Sequence, residues 1–224
     1  QVCGPPPPPS ADIKVNNSDG PIAISSGASV NATWCGLAPG AACANATSCT
    51  VTFSDAGGSW TGTSGNQTQP LYATRTYTLA CTGPSGSTSS ETATVNVSAP
   101  TLSVSLSANP NNQPAPFTTT LTADVTYNGN PADTINYSVW WNCANATTSV
   151  SAAESACGTL PAASPGTCVA GANGGKCNAV TFDPMSNFSP TYTVNSVAKV
   201  IAERGALAAQ AQAQTPITVT FSGG

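Results

Sequence analysis

Cysteine is the residue type best equipped for chemistry in this chain, with nine copies among 224 residues. Thiols at this density ligate metal, react as nucleophiles or close disulfides. No Cys-x-x-Cys spacing occurs and the chain has no histidine, so a tetrahedral metal site has no ready ligand set. Disulfides are the expected use, which places the protein in an oxidising setting, outside the cell or on its surface. For eight paired cysteines 105 connectivities are formally open. We pair Cys49 with Cys81 across a sheet, Cys35 with Cys43 as a loop staple, and Cys143 with Cys177 around Cys157 with Cys168. Each bridge is worth about 2–4 kcal/mol by chain entropy.

Cys3 is left over. It precedes Pro5, Pro6, Pro7, Pro8 and Pro9, a run that fixes φ and favours an extended rod without internal hydrogen bonds. Cys3 and this rod are candidates for engaging a neighbouring subunit; the competing reading is an incidental thiol at a fragment boundary. Gln1 in place of an initiator methionine reads as a processed or fragmentary product, with export as the reason for processing.

Other reactive constellations are sparse. Without histidine, and without a G-x-S-x-G turn, nucleophilic catalysis lacks its base, so no enzyme activity is expected. Asp12 and Asp19 flank a turn that suits Ca²⁺ less well than it suits solvent, and neither cofactor nor metal is expected. Lys199 and Glu203 share one face of a late strand, where exposure is the default. In Tyr137-Ser138-Val139-Trp140-Trp141, alternation puts Trp140 opposite Trp141. One is core, and Trp140 is the candidate for a sugar platform, a cover of the cysteine-rich loop or an intersubunit contact. Eight Asn-x-Ser/Thr triplets are present, of which Asn45 and Asn145 are the best glycan acceptors because their neighbours suggest loops; chance triplets are the alternative in so Asn- and Thr-rich a chain.

These residues must be held by short strands. Thr76 to Cys81 alternates polar and apolar and stops at Gly83-Pro84, so Tyr77, Leu79 and Cys81 share a face. Further strands are expected at 12–15, 22–24, 30–34, 48–53, 59–61 and 93–97. Trp34 and Trp60 are the large core residues among them. After Ser98-Ala99-Pro100-Thr101, strict alternation resumes at Leu102 and continues in strands at 117–127, 135–143, 192–202 and 217–221. The interval from Cys143 to Phe182 reads as an elaborated, disulfide-tied loop, and Ala206 to Ala213 as a turn into the last strand, with a helix as the alternative that its alanines allow. Charged residues are only 6% of the chain, against about 25% in ordinary soluble domains, so hydroxyl and amide side chains must wet the surface. The net charge of −4 carries no basic stripe, which excludes a nucleic-acid partner, and no apolar run reaches membrane-spanning length.

Several runs resemble a known module. Ser18-Asp19-Gly20-Pro21-Ile22, Trp34, Asn45-Ala46-Thr47-Ser48-Cys49-Thr50, Trp60-Thr61-Gly62, the Tyr77 to Gly86 segment and Val95-Asn96-Val97 are similar to an immunoglobulin-like repeat of large secreted bacterial proteins. Leu106 to Pro110, Ala115-Pro116, Thr120 to Ala123 and Ala198 to Gly205 resemble a PKD-like module. The resemblance implies an extracellular, non-catalytic spacer or adhesion role. The Cys35/Cys43 insertion and the second cysteine-rich loop depart from its simpler pattern.

The expected fold is therefore all-β: two tandem immunoglobulin-like β-sandwiches, residues 12–98 and 99–224, behind a proline-rich tail at 1–11. The expected function is a structural subunit of an extracellular filament, stalk or surface layer, a homo-oligomer or polymer assembling through its tail or sheet edges. An adhesin or carbohydrate-binding module of a larger surface protein, with glycans as partners, is the alternative.

Overall fold

The structure, a computed structural model, describes residue 4 and residues 6–36, 42–55, 58–179, 185–204 and 209–220. Cys3 and Pro5, singled out above, lie outside the described residues. The chain divides into two compact units, Gln1–Ala99 and Pro100–Gly224, so the proline segment belongs with the first unit.

In the first unit the strands are β1 (Ile13–Val15), β2 (Ile22–Ile24), β3 (Ser29–Trp34), β4 (Ser48–Phe53), β5 (Ser59–Thr61), β6 (Gly65–Pro70), β7 (Arg75–Thr82) and β8 (Thr88–Val97). They form a three-stranded sheet, β1-β3-β6, and a five-stranded sheet, β2-β8-β7-β4-β5. Period-two alternation sends Val30, Ala32 and Trp34 of β3, Cys49 and Val51 of β4, and Tyr77, Leu79 and Cys81 of β7 into one shared core. The opposite face of the larger sheet carries Thr52, Thr78 and Thr92 side by side, with Thr50 and Ser90 in the next row, which is how a chain this poor in charge keeps its surface wet. Strand β6 has no apolar alternation. Its pairing with β3 sets Gly65 under the Trp34 indole, where a Cβ would come within 2.1 Å of the ring. Gly65→Ala is therefore expected to cost about 1–3 kcal/mol by overpacking. Urea unfolding checks it: an unchanged midpoint would mean the indole has room to move.

The second unit contains β9 (Leu102–Asn109), β10 (Asn112–Pro114), β11 (Phe117–Thr118), β12 (Thr120–Tyr127), β13 (Ile135–Trp140), α1 (Val150–Cys157), β14 (Cys168–Ala170), β15 (Gly174–Ala179), β16 (Met185–Phe188), β17 (Thr191–Tyr192), β18 (Ser196–Arg204) and β19 (Ala209–Thr220). Sheet orders are β10-β19-β18-β13-β15-β14, β16-β12-β9 and the pair β11-β17. Leu121, Ala123, Tyr137, Val139, Ala198 and Val200 meet in its main core. The regular structure of the described residues is thus almost all β, with one short α-helix among them.

Two local expectations change. The interval after Cys143 holds α1 rather than only loop, because Ser149 caps Ala152 N–H and an alanine-rich turn follows up to Gly158. Residues 209–213, expected in a turn, are paired strand: Ala211 opposes Ala202 and Ala213 opposes Val200. Residues 206–208 of that stretch lie outside the described residues.

Candidate functional site

Strand β18 is buried on both faces. Ala198, Val200 and Ala202 face the main core, while Ile201 joins Trp140, Cys143, Ala153 and Leu160 in a second cluster on the other side. The covering layer is the segment that runs from Cys143 through α1 to Leu160 and on to Ala163. Trp140 is completely buried under it and donates Nε1–H to the Gly158 carbonyl at 2.9 Å. This corrects the reading of Trp140 as an intersubunit contact or sugar platform: the cap of its own unit covers the ring. Trp141, on the opposite face, packs edge-on against Phe188 with centroids 5.2 Å apart.

Lys199 also departs from expectation. It is fully buried, and its ammonium donates to the carbonyls of Asn145 and, at 2.7 Å, Thr147, and to Gln212 Oε1 at 3.3 Å. Gln214 Nε2 adds bonds to the Cys143 and Asn145 carbonyls at 3.0 and 2.9 Å. Together these side chains hold the extended start of the cap onto β18 and β19. Burial pushes the Lys199 pKa down from its ordinary value.

The disulfides of the second unit are Cys143–Cys157 and Cys168–Cys177. The expected nested pairing, Cys143 with Cys177 and Cys157 with Cys168, is overturned for two reasons. Helix α1 brings Cys157 back to a Cα distance of 5.4 Å from Cys143, and antiparallel β14 and β15 set Cys168 opposite Cys177. Cys177 moreover belongs to the main core and Cys143 to the cluster under the cap, on the other side of the sheet. In the first unit Cys35 pairs with Cys43 and Cys49 with Cys81, and the two bridges touch, with Cys43 Sγ and Cys81 Sγ 3.6 Å apart.

The first unit shows how the remaining candidates are placed. Ser10 N–H donates to the Ala44 carbonyl at 2.9 Å and Ser10 Oγ accepts from Ala44 N–H at 3.0 Å. Pro9 is buried against Gly83, while Pro6, Pro7 and Pro8 are exposed. Trp60 stacks on Trp34 and Tyr77 at 5.6 and 5.7 Å and meets Phe53 edge-on, which makes it a packing residue. Asp12 and Asp19 converge with Glu91, but the Lys14 ammonium sits between the two aspartates and Glu91 accepts the Ile13 N–H at 2.8 Å. Those hydrogen bonds hold the Lys14 pKa above its usual range. Asn45 and Asn145 are both exposed, and Asn145 Oδ1 closes a turn by accepting from Thr147 N–H.

One cleft of about 120 Å³ opens where the cap meets the sheet. Asn136 and Ser138 of β13, Lys176 and Asn178 of β15 and Glu203 of β18 supply its polar groups; Val150 of α1 and Ala163 supply apolar ones. Lys176 pairs with Glu154 of α1 at 2.8 Å, and that hydrogen bond lowers the Glu154 pKa. Sequence reasoning did not find this group, because its members come together only through the pairing of three strands.

No protein-family model matches the chain, and no curated protein matches it. Among solved structures it overlaps a bacterial ice-binding adhesin (10% identity, TM-score 0.32), the mouse nectin-like molecule 4 ectodomain (12%, 0.34) and the Yersinia pseudotuberculosis adhesin InvE (14%, 0.32). The overlaps cover 96%, 96% and 95% of this chain but 66%, 65% and 60% of those, less than two thirds in each case. Overlaps this loose establish neither a family nor a function.

Proposed function

We propose that the protein is a non-catalytic extracellular structural module, two immunoglobulin-like sandwiches in tandem, that assembles with further copies into a filament, stalk or surface layer. The observation carrying this reading is β6. It is the outer strand of its sheet, its six residues Gly65–Pro70 include no charge, and Asn66, Gln67 and Thr68 are exposed. Isolated soluble domains ordinarily blunt such an edge with lysine, bulges or cover, because its free backbone groups accept another strand. Disulfides in both units and a surface of uncharged hydroxyls suit an oxidising, extracellular setting. The Ser10 clasp on Ala44 fixes where the proline rod leaves the first unit, giving the tail a defined direction.

Electron microscopy and size-exclusion chromatography of the native material test assembly. Fibres are expected, and Gln67→Lys, which places a charge on the β6 edge, is expected to reduce them to single subunits without lowering thermal stability. Fibres indifferent to Gln67→Lys remove β6 as the interface, and a strictly monomeric native protein removes the assembly reading altogether. The polar cleft under the cap favours the second reading, an adhesin or carbohydrate-binding module, for which retention of the monomer on a glycan array is the discriminating result.

A further inference from the structure

We propose that the cleft between the cap and the six-stranded sheet binds the acetamido group of an N-acetylated amino sugar. The inference rests on the carbohydrate-binding reading and gives it a site and a ligand class. In register, Asn136 lies directly opposite Asn178 on one side and Glu203 on the other. The three side chains form one row across three strands, spaced by the interstrand repeat of about 4.8 Å. In the adjacent row Ser138 lies opposite Lys176. The two amides of that row, Asn136 and Asn178, offer donors and acceptors to a ligand that carries both.

The other side of the cleft selects among such ligands. Val150 and Ala163 present hydrocarbon to the space that the polar row faces. A purely polar ligand leaves that hydrocarbon uncovered, and a purely apolar one gives Asn178 Oδ1 nothing to accept from. Charge gives no strong preference for an ion, because Lys176 is already neutralised by Glu154 at 2.8 Å. An acetamido group matches both sides, with a methyl for Val150 and Ala163, an N–H for an acceptor and a carbonyl for a donor. Asn178 Oδ1 is shut away from solvent without a hydrogen-bond partner in the protein. Turning that amide toward the mouth gives the ligand N–H its acceptor, and Asn136 or Lys176 then donates to the ligand carbonyl. The volume of about 120 Å³ admits a group of several heavy atoms, since a single water needs only about 10–15 Å³, while the sugar ring rests at the open mouth.

The test is amide and side-chain NMR on the full chain, titrated with N-acetylglucosamine and, separately, glucose. Saturable shifts at Asn136, Asn178, Val150 and Ala163 are expected with N-acetylglucosamine at millimolar affinity, with glucose at least fivefold weaker. Asn178→Ala is expected to weaken the acetylated sugar at least fivefold while the melting temperature stays within a few degrees. Glucose binding equally well overturns the acetamido assignment but leaves carbohydrate binding standing. Shifts absent from the cleft with both sugars overturn the site; glycan-array retention under those conditions would keep the adhesin reading and move it elsewhere on the molecule.

Discussion

Trp140→Ala is expected to lower the unfolding free energy by about 3–5 kcal/mol, the range for removing a buried tryptophan and leaving a cavity. The ring is wholly shielded from solvent and packs with Cys143, Ala153, Leu160 and Ile201. Its Nε1–H is the donor for the Gly158 carbonyl, at the residue where the helix ends with φ of 100°. A Cβ at that glycine would come within 2.4 Å of the Asn173 side chain, so the turn that presents this carbonyl is closed to other residues. Losing the indole therefore empties the space under α1 and strips the cap of its hydrogen bond to β13. Urea denaturation measures the loss. If the protein assembles as proposed, association measured by sedimentation is expected to follow stability alone. If Trp140→Ala left stability intact but abolished assembly, the ring would have to be an interface residue and the described burial would be wrong.

The contrast between Trp140 and Tyr77 shows what could be read from the chain. Tyr77, Leu79 and Cys81 alternate with Thr76, Thr78 and Ala80, so a single period-two argument gives the strand, its buried face and a partner position for Cys81. Trp140 sits instead in a strand that is buried on both sides over Tyr137 to Trp140, where alternation carries no information. The signal for double burial was available in β18, whose run from Ala198 to Ala202 is apolar except at Lys199. That lysine made the run look half exposed. Helix α1 was also legible, in the sequence Ser149 to Gly158, from a serine cap, alanines and a terminal glycine. Only the helix returns Cys157 to Cys143, so a loop reading of this interval gives the wrong pairing in the second unit. Strand β6 was not legible at all, because Gly65–Pro70 owes its conformation to β3 and not to any pattern of its own. The cleft is equally a product of register: Asn136, Asn178 and Glu203 carry no common motif and become neighbours only when β15, β13 and β18 align.

Lys199→Met is expected to destabilise the second unit, even though it removes a buried charge. Among the described residues no carboxylate forms an ion pair with the Lys199 ammonium, and its partners are oxygens of Asn145, Thr147 and Gln212. Methionine fills a similar volume, so the main loss is of donors. Asn145 keeps its bond from Gln214, whereas the half-buried Thr147 carbonyl loses the donor it has, at a cost of about 1 kcal/mol, the low end for an acceptor left unmade. The pH dependence separates this from a packing effect. Burial lowers the folded-state pKa of Lys199, while the unfolded chain keeps the ordinary value of 10.5. Between the two values the unfolded state holds more protons, so this group makes stability rise as pH increases toward 10.5. The Met variant lacks that contribution. Parallel urea titrations from neutral pH to about pH 10 are therefore expected to show the gap between the native protein and Lys199→Met widening as pH rises. A gap that narrows over that interval would mean that the carbonyls stabilise the ammonium more than burial penalises it, and that the charged form is the one the cap requires.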